Sequence, residues 1–82
     1  MYYVYVLQCS NGDLYIGYSD ELKTRVWTHQ LGKVRATKGY LPIKLIYYEA
    51  YKDKRDATKR EYELKTGQQR KLLKKRLIYS AE

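Results

Sequence analysis

Eighty-two residues with seventeen lysines and arginines against nine acidic residues carry a net charge of +8. The single cysteine, Cys9, excludes an internal disulfide and any cysteine cluster for zinc. No apolar run is long enough to span a bilayer, and no charged segment followed by an apolar one marks a secretory signal. A soluble, cytoplasmic protein with one domain, residues 1–82, is the expectation, and so small a domain buries roughly 60–65% of its unfolded surface. With eleven tyrosines, one tryptophan and no phenylalanine, the aromatic packing falls to tyrosine, whose hydroxyls each need a partner or water.

Residues 2–7, YYVYVL, are continuously apolar and aromatic, which suits a central strand covered on both faces. Gln8 to Asp13 is turn chemistry with Asn11-Gly12 at its heart. Leu14 to Tyr18 reads as the second strand. A two-residue Asn-Gly turn would put Tyr5 and Tyr15 on opposite faces of the sheet, whereas a three- or five-residue loop puts them on the same face.

A first helix runs from a Ser19 or Asp20 cap to about Leu31, and Gly32 ends it. At about 100° per residue, Leu22, Arg25, Val26 and His29 share about a third of its circumference. A cation and the only imidazole of the chain on a core-facing stripe need an explanation, because surface helices turn such groups to water. They line a pocket or are paired structurally. Residues 32–42 form a loop with Lys33, Arg35 and Lys38. It serves as a solvated connection or as a mobile arm for phosphates.

Pro42 leads into a third strand, Ile43 to about Tyr51, also apolar on both faces. Asp53 is the cap of a second helix that runs to about Lys65. Its inward stripe is Ala57, Glu61 and Leu64, which places a carboxylate at the centre of a buried face. Such a group must be paired, protonated or bound to a metal. Arg25 or a tyrosine hydroxyl would be the structural partner. A lone carboxylate also suits Mg²⁺, which keeps its waters and borrows phosphate oxygens. Thr66 and Gln69 form a capping box for a third helix, about 68–79, that packs Leu72, Leu73 and Leu77 and leaves Lys71, Lys74 and Lys75 outward. From Lys65 onward six basic residues face Glu82 alone, so this end holds five of the eight net charges. A domain this basic fits a nucleic-acid partner.

Taken as a set, Tyr3-Val4-Tyr5, Tyr15-Ile16-Gly17, Arg25, His29 and Glu61 resemble the GIY-YIG nuclease domain. The likeness covers essentially the whole chain and is strongest to the small stand-alone bacterial members of uncharacterised role. It implies an α+β fold, a three-stranded antiparallel sheet flanked by three helices in the order β-β-α-β-α-α. It also implies phosphodiester hydrolysis with a single divalent ion, Mg²⁺ or Mn²⁺. On this resemblance Tyr5, Tyr15, Arg25, His29 and Glu61 are catalytic, and Glu61 holds the metal. Tyr5 is favoured as the base, Arg25 stabilises charge at phosphorus, and Gly17 is structural. Lys33, Arg35, Lys38, Lys71, Lys74 and Lys75 would bind the nucleic acid, DNA rather than RNA, with a protein partner as a source of specificity. The first motif lacks the family's glycine, Tyr18-Ser19 stands where some repair nucleases carry lysine, and the only asparagine is Asn11. The expected function is a metal-dependent DNA endonuclease of repair or recombination. The alternatives are a non-catalytic nucleic-acid-binding module and a basic protein-interaction domain.

Overall fold

The computed structural model describes residues 1–81. Strands β1 (Tyr2–Gln8), β2 (Leu14–Ser19) and β3 (Lys44–Tyr51) form one antiparallel sheet in the order β2-β1-β3. Helices α1 (Leu22–Gln30), α2 (Lys54–Leu64) and α3 (Gly67–Arg76) complete the order β-β-α-β-α-α, the α+β architecture expected from the sequence.

The hydrophobic run of β1 is explained by its position. It is the middle strand, and Val4, Tyr5, Val6 and Leu7 are all 1% exposed or less. Its two faces enter different clusters. Val4 and Val6 pack with Leu14, Ile16, Ala57, Leu64, Leu73 and Leu77, so α2 and α3 cover one face. Tyr5 and Leu7 pack with Cys9, Val26 and Ile43, so α1 covers the other. β3 is an edge strand and only half covered, with Leu45 and Tyr48 exposed.

The β1–β2 connection has five residues, because Gln8 pairs with Leu14. Cys9 N–H donates to Asp13 O at 2.8 Å, and Gly12 takes a φ of +89°, the left-handed region that glycine enters without strain. Asn11 Oδ1 accepts from Asp13 N–H at 3.0 Å, the local side-chain bond that suits asparagine to turns. Tyr5 therefore lies opposite Gly17, and Leu7 opposite Tyr15. Residues directly opposite in a ladder share a face, so Tyr5 and Tyr15 lie on the same side of the sheet.

Four readings are corrected. Glu21, not Ser19 or Asp20, is the α1 cap residue; Ser19 Oγ, two residues earlier, accepts from Glu21 N–H itself at 3.0 Å. The Thr66–Gln69 capping box does not form, because Thr66 Oγ1 donates backward to Glu63 O at 2.8 Å. Leu72 is 53% exposed, while Leu73 and Leu77 face the sheet; a helix this short rests one narrow stripe on its neighbour. Glu61 does not sit at the centre of the buried face of α2. Its side chain is 25% exposed and pairs with Lys65 at 3.1 Å.

The position of Glu61 follows from its neighbour. Arg60 reaches Glu49 of β3 with two hydrogen bonds, at 2.9 and 3.2 Å. Tyr47 and Tyr51 donate their hydroxyls to the same carboxylate. This half-buried cluster fixes the rotation of α2 about its axis. With Arg60 turned to β3, the next residue is carried about 100° round the helix. Burial opposes ionisation of Glu49, but Arg60 and the two phenols outweigh it and hold the carboxyl below its ordinary value. Tyr51 is pushed up to about 12, by burial first and then by its bond to Glu49.

Gly17 is needed for space, not for an unusual backbone angle. A Cβ there would lie 2.8 Å from Tyr5 Cε2 and closer still to Cζ and the hydroxyl oxygen. Since Tyr5 is itself buried, it cannot swing away. Gly17→Ala is expected to lower stability by about 1–3 kcal/mol, whereas Gly67→Ala, which meets nothing within 4 Å, should be neutral or slightly stabilising. Denaturant midpoints of the two variants check this.

Candidate active site

The side of the sheet under α1 carries the site. Tyr5 crosses the gap left by Gly17, and its hydroxyl lies 3.0 Å from His29 Nε2. On the far side of the imidazole, Nδ1 lies 2.8 Å from Thr37 Oγ1. Tyr5 is 1% exposed, and His29 and Thr37 are 0% exposed. These three form a polar chain sealed inside the protein. Tyr15 completes an aromatic cluster, its ring centroid 5.0 Å from that of His29 and 6.4 Å from that of Tyr5.

Arg25 lies one helical turn before His29, on the same stripe of α1. The Tyr5 phenol and, after it, the Tyr15 phenol stabilise the Arg25 charge and raise its pKa despite partial burial. Burial raises the Tyr5 phenol above its ordinary value; Arg25 counters this in part, while Tyr15 and Glu61 add to it. His29 is lowered from 6.5 to about 4, by burial first and by the Arg25 charge second. The imidazole is therefore neutral at physiological pH, and so is the phenol bonded to it.

Four of the five expected catalytic residues thus converge directly: Tyr5, Tyr15, Arg25 and His29. Glu61 approaches from α2, on the other layer, near enough for its charge to act on Tyr5. Its ion pair is with Lys65, not Arg25, which is the pairing the sequence suggested. The five side chains do not all open onto one surface: Tyr5 and His29 are sealed. Tyr15, Arg25 and Glu61 are the partly exposed members.

The basic residues divide between layers. Lys33, Arg35 and Lys38 are exposed on the loop that follows α1, on the same side as Arg25. That loop is not a free arm, because Thr37 anchors it in the interior and residues Lys38–Tyr40 form a 3-10 turn. Lys71, Lys74 and Lys75 are exposed on α3, which covers the opposite face of the sheet. Thr37 was missed from the sequence. A threonine between Ala36 and Lys38 in a glycine-flanked loop carries no periodic signal of burial.

Among the described residues no group of three or more His, Cys, Asp or Glu forms a metal cage. A single carboxylate such as Glu61 is what Mg²⁺ accepts when phosphate oxygens and water supply the other ligands. The residues present fit that ion, with Lys65 as the group to be displaced.

Comparison with known proteins identifies the family and the fold. Residues 1–76 match the family model of the GIY-YIG catalytic domain. The chain is 42% identical over 74 residues to the UPF0213 proteins of Staphylococcus aureus strains N315 and Mu50, covering 89% of this chain and 90% of theirs. The solution NMR structure of the UPF0213 protein BH0048 from Bacillus halodurans superposes with a TM-score of 0.58 at 34% identity, covering 89% of this chain and 82% of that one. The chain belongs to the GIY-YIG family, a family of nucleases, and its relatives there are the small UPF0213 proteins.

The sealed imidazole has a pH signature. Held near 4 in the folded chain and at about 6.5 when unfolded, His29 takes up its proton first in the unfolded state. Its contribution to stability is complete above about pH 6.5 and is lost as pH falls through 4. The stability gap between wild type and His29→Gln should shrink by up to about 3 kcal/mol across that window. Unfolding curves at several pH values, with the wild-type imidazole titrated by NMR, check it.

Proposed function

We propose that the protein is a metal-dependent endonuclease that hydrolyses phosphodiester bonds in DNA. The observation that carries this reading is the cluster of Arg25 and His29 on one stripe of α1 with Tyr5, which is sealed, and Tyr15, which is partly exposed. A guanidinium in that position offers a fork of donors to a phosphate. It lowers the energy of charge developing on the phosphoryl oxygens.

The burial of Tyr5 redirects the assignment of the base. Its hydroxyl is bonded to His29 and shut off from water. Tyr15 is the tyrosine whose hydroxyl can meet an attacking water, and it takes the role of orienting and deprotonating that water. Tyr5 keeps Arg25 in place from below, and His29 keeps Tyr5 in place. Glu61 would hold Mg²⁺, or Mn²⁺, after giving up Lys65, and such an ion would supply positive charge at the scissile phosphate. Lys33, Arg35 and Lys38 contact flanking phosphates on the side of the site, adding sequence-independent affinity. Lys71, Lys74 and Lys75 reach the same nucleic acid only where it wraps past the sheet edge, or else they meet a partner protein. The lone buried thiol of Cys9 and the basic surface suit a cytoplasmic enzyme of repair or recombination.

The Lys65–Glu61 pair favours one competing reading, a nucleic-acid binder without turnover, because it neutralises the carboxylate that would be offered to a metal. Cleavage of single-stranded, duplex and branched DNA with Mg²⁺ or Mn²⁺ separates the two. The nuclease reading predicts metal-dependent cleavage that Glu61→Ala abolishes. Arg25→Ala should reduce it about 10²–10³-fold, and Tyr15→Phe about 10²–10⁴-fold, without loss of fold. Tight binding of DNA with no metal-dependent cleavage by the wild type would leave only the binder.

A further inference from the structure

We infer that Thr37 is a positioning residue, which holds His29 in the tautomer protonated at Nδ1 so that Nε2 presents its lone pair to Tyr5. The argument is one of donors and acceptors. The Tyr5 hydroxyl has its one hydrogen bond with His29 Nε2, and the Arg25 charge acts on the same phenol. A guanidinium only donates. The phenolic hydrogen, sealed from water, is satisfied only by Nε2 as acceptor. A neutral imidazole with a bare Nε2 carries its hydrogen on Nδ1, and the group facing Nδ1 is Thr37 Oγ1, at 2.8 Å.

Acidity orders the chain the same way. A phenol is a stronger donor than an imidazole N–H, and an aliphatic hydroxyl accepts well. Tyr5 therefore donates to His29, and His29 donates to Thr37. Each direction leaves one hydroxyl hydrogen without an acceptor: the reverse chain strands the acidic phenolic hydrogen and turns Nε2–H toward an oxygen already under the Arg25 charge, whereas the forward chain strands only the weakly acidic hydrogen of Thr37. Besides Thr37, the groups that face the imidazole are Tyr5 and Tyr15, with the Arg25 charge one turn away. None of them accepts from Nδ1.

Thr37 also belongs to the loop that carries Lys33, Arg35 and Lys38, so the same bond ties the basic loop to the tyrosine under Arg25. The tautomer does not depend on the nuclease reading, whereas the consequence for turnover rests on it. Loss of the Thr37 hydroxyl lets the imidazole turn or exchange tautomers, which loosens Tyr5 and through it Arg25. By analogy with the outer partners of metal-bound histidines, such a loss should cost about 10- to 100-fold.

His29 is the only histidine, so ¹⁵N NMR of the labelled full chain reads its two ring nitrogens without overlap. The expected spectrum shows Nδ1 protonated and Nε2 bare in the wild type and in Thr37→Ser. In Thr37→Val the two forms should mix or invert. Cleavage by Thr37→Val should fall about 10- to 100-fold in kcat with little change in KM, and Thr37→Ser should restore it. A wild type protonated at Nε2 overturns the proposal whether or not Thr37→Val folds. So does a Thr37→Val spectrum identical to wild type. A wild type with the expected tautomer and no cleavage activity would refute the nuclease reading and leave the role of Thr37 in the tautomer standing.

Discussion

The hydrogen bond between Tyr5 and His29, 3.0 Å long and sealed from water, is the contact on which the arrangement of the site depends. It joins the central strand to α1 across the smaller of the two cores. The apolar packing there is thin, with Leu7, Cys9, Val26 and Ile43 as its buried members beside Tyr5. A polar bond in such a place has few alternatives: breaking it strands a phenol and an imidazole where neither finds water. It therefore fixes where α1 lies, and with it Arg25. Gly17 provides the space for the phenol, and Thr37 satisfies the nitrogen that the phenol leaves over. Four segments distant in the chain meet at one imidazole.

The other face of the sheet does complementary work. A larger apolar cluster seats α2 and α3, and the Glu49–Arg60 pair sets the rotation of α2. That rotation leaves Glu61 partly buried, neither lost in the core nor free in solvent. The site thus spans both layers: its cation and tyrosines belong to the α1 side, its carboxylate to the α2 side. This explains why Glu61 remains partly hydrated and bonded to Lys65.

Much of this was legible in the sequence, and the exceptions have physical causes. The central strand could be read from YYVYVL because burial on both faces removes the usual alternation. The grouping of Arg25 with His29 followed from helical period alone. The face shared by Tyr5 and Tyr15 could not be decided locally, since Asn11-Gly12 serves a two-residue turn and a five-residue loop equally well; the hydrogen bond from Cys9 to Asp13 selects the longer one. Glu61 was placed too deep because helical period gives angular spacing but no origin, and the origin is set by Arg60 finding Glu49. Thr37 was invisible because its burial comes from a tertiary partner, not from a pattern. Leu72 was assigned inward on hydropathy, although a ten-residue helix at the rim of the core covers only one stripe.

If the phenol–imidazole bond is what holds α1 over the sheet, its two ends must be energetically coupled. A double-mutant cycle with Tyr5→Phe and His29→Leu, measured by urea unfolding at pH 7.5, tests this most directly. Each single variant strands the other's polar group, and the double variant removes both. The prediction is a double variant that is less destabilised than the sum of the singles by about 1 kcal/mol or more. Additive losses would show that the two groups do not sense each other, and would contradict the account of how the site is built.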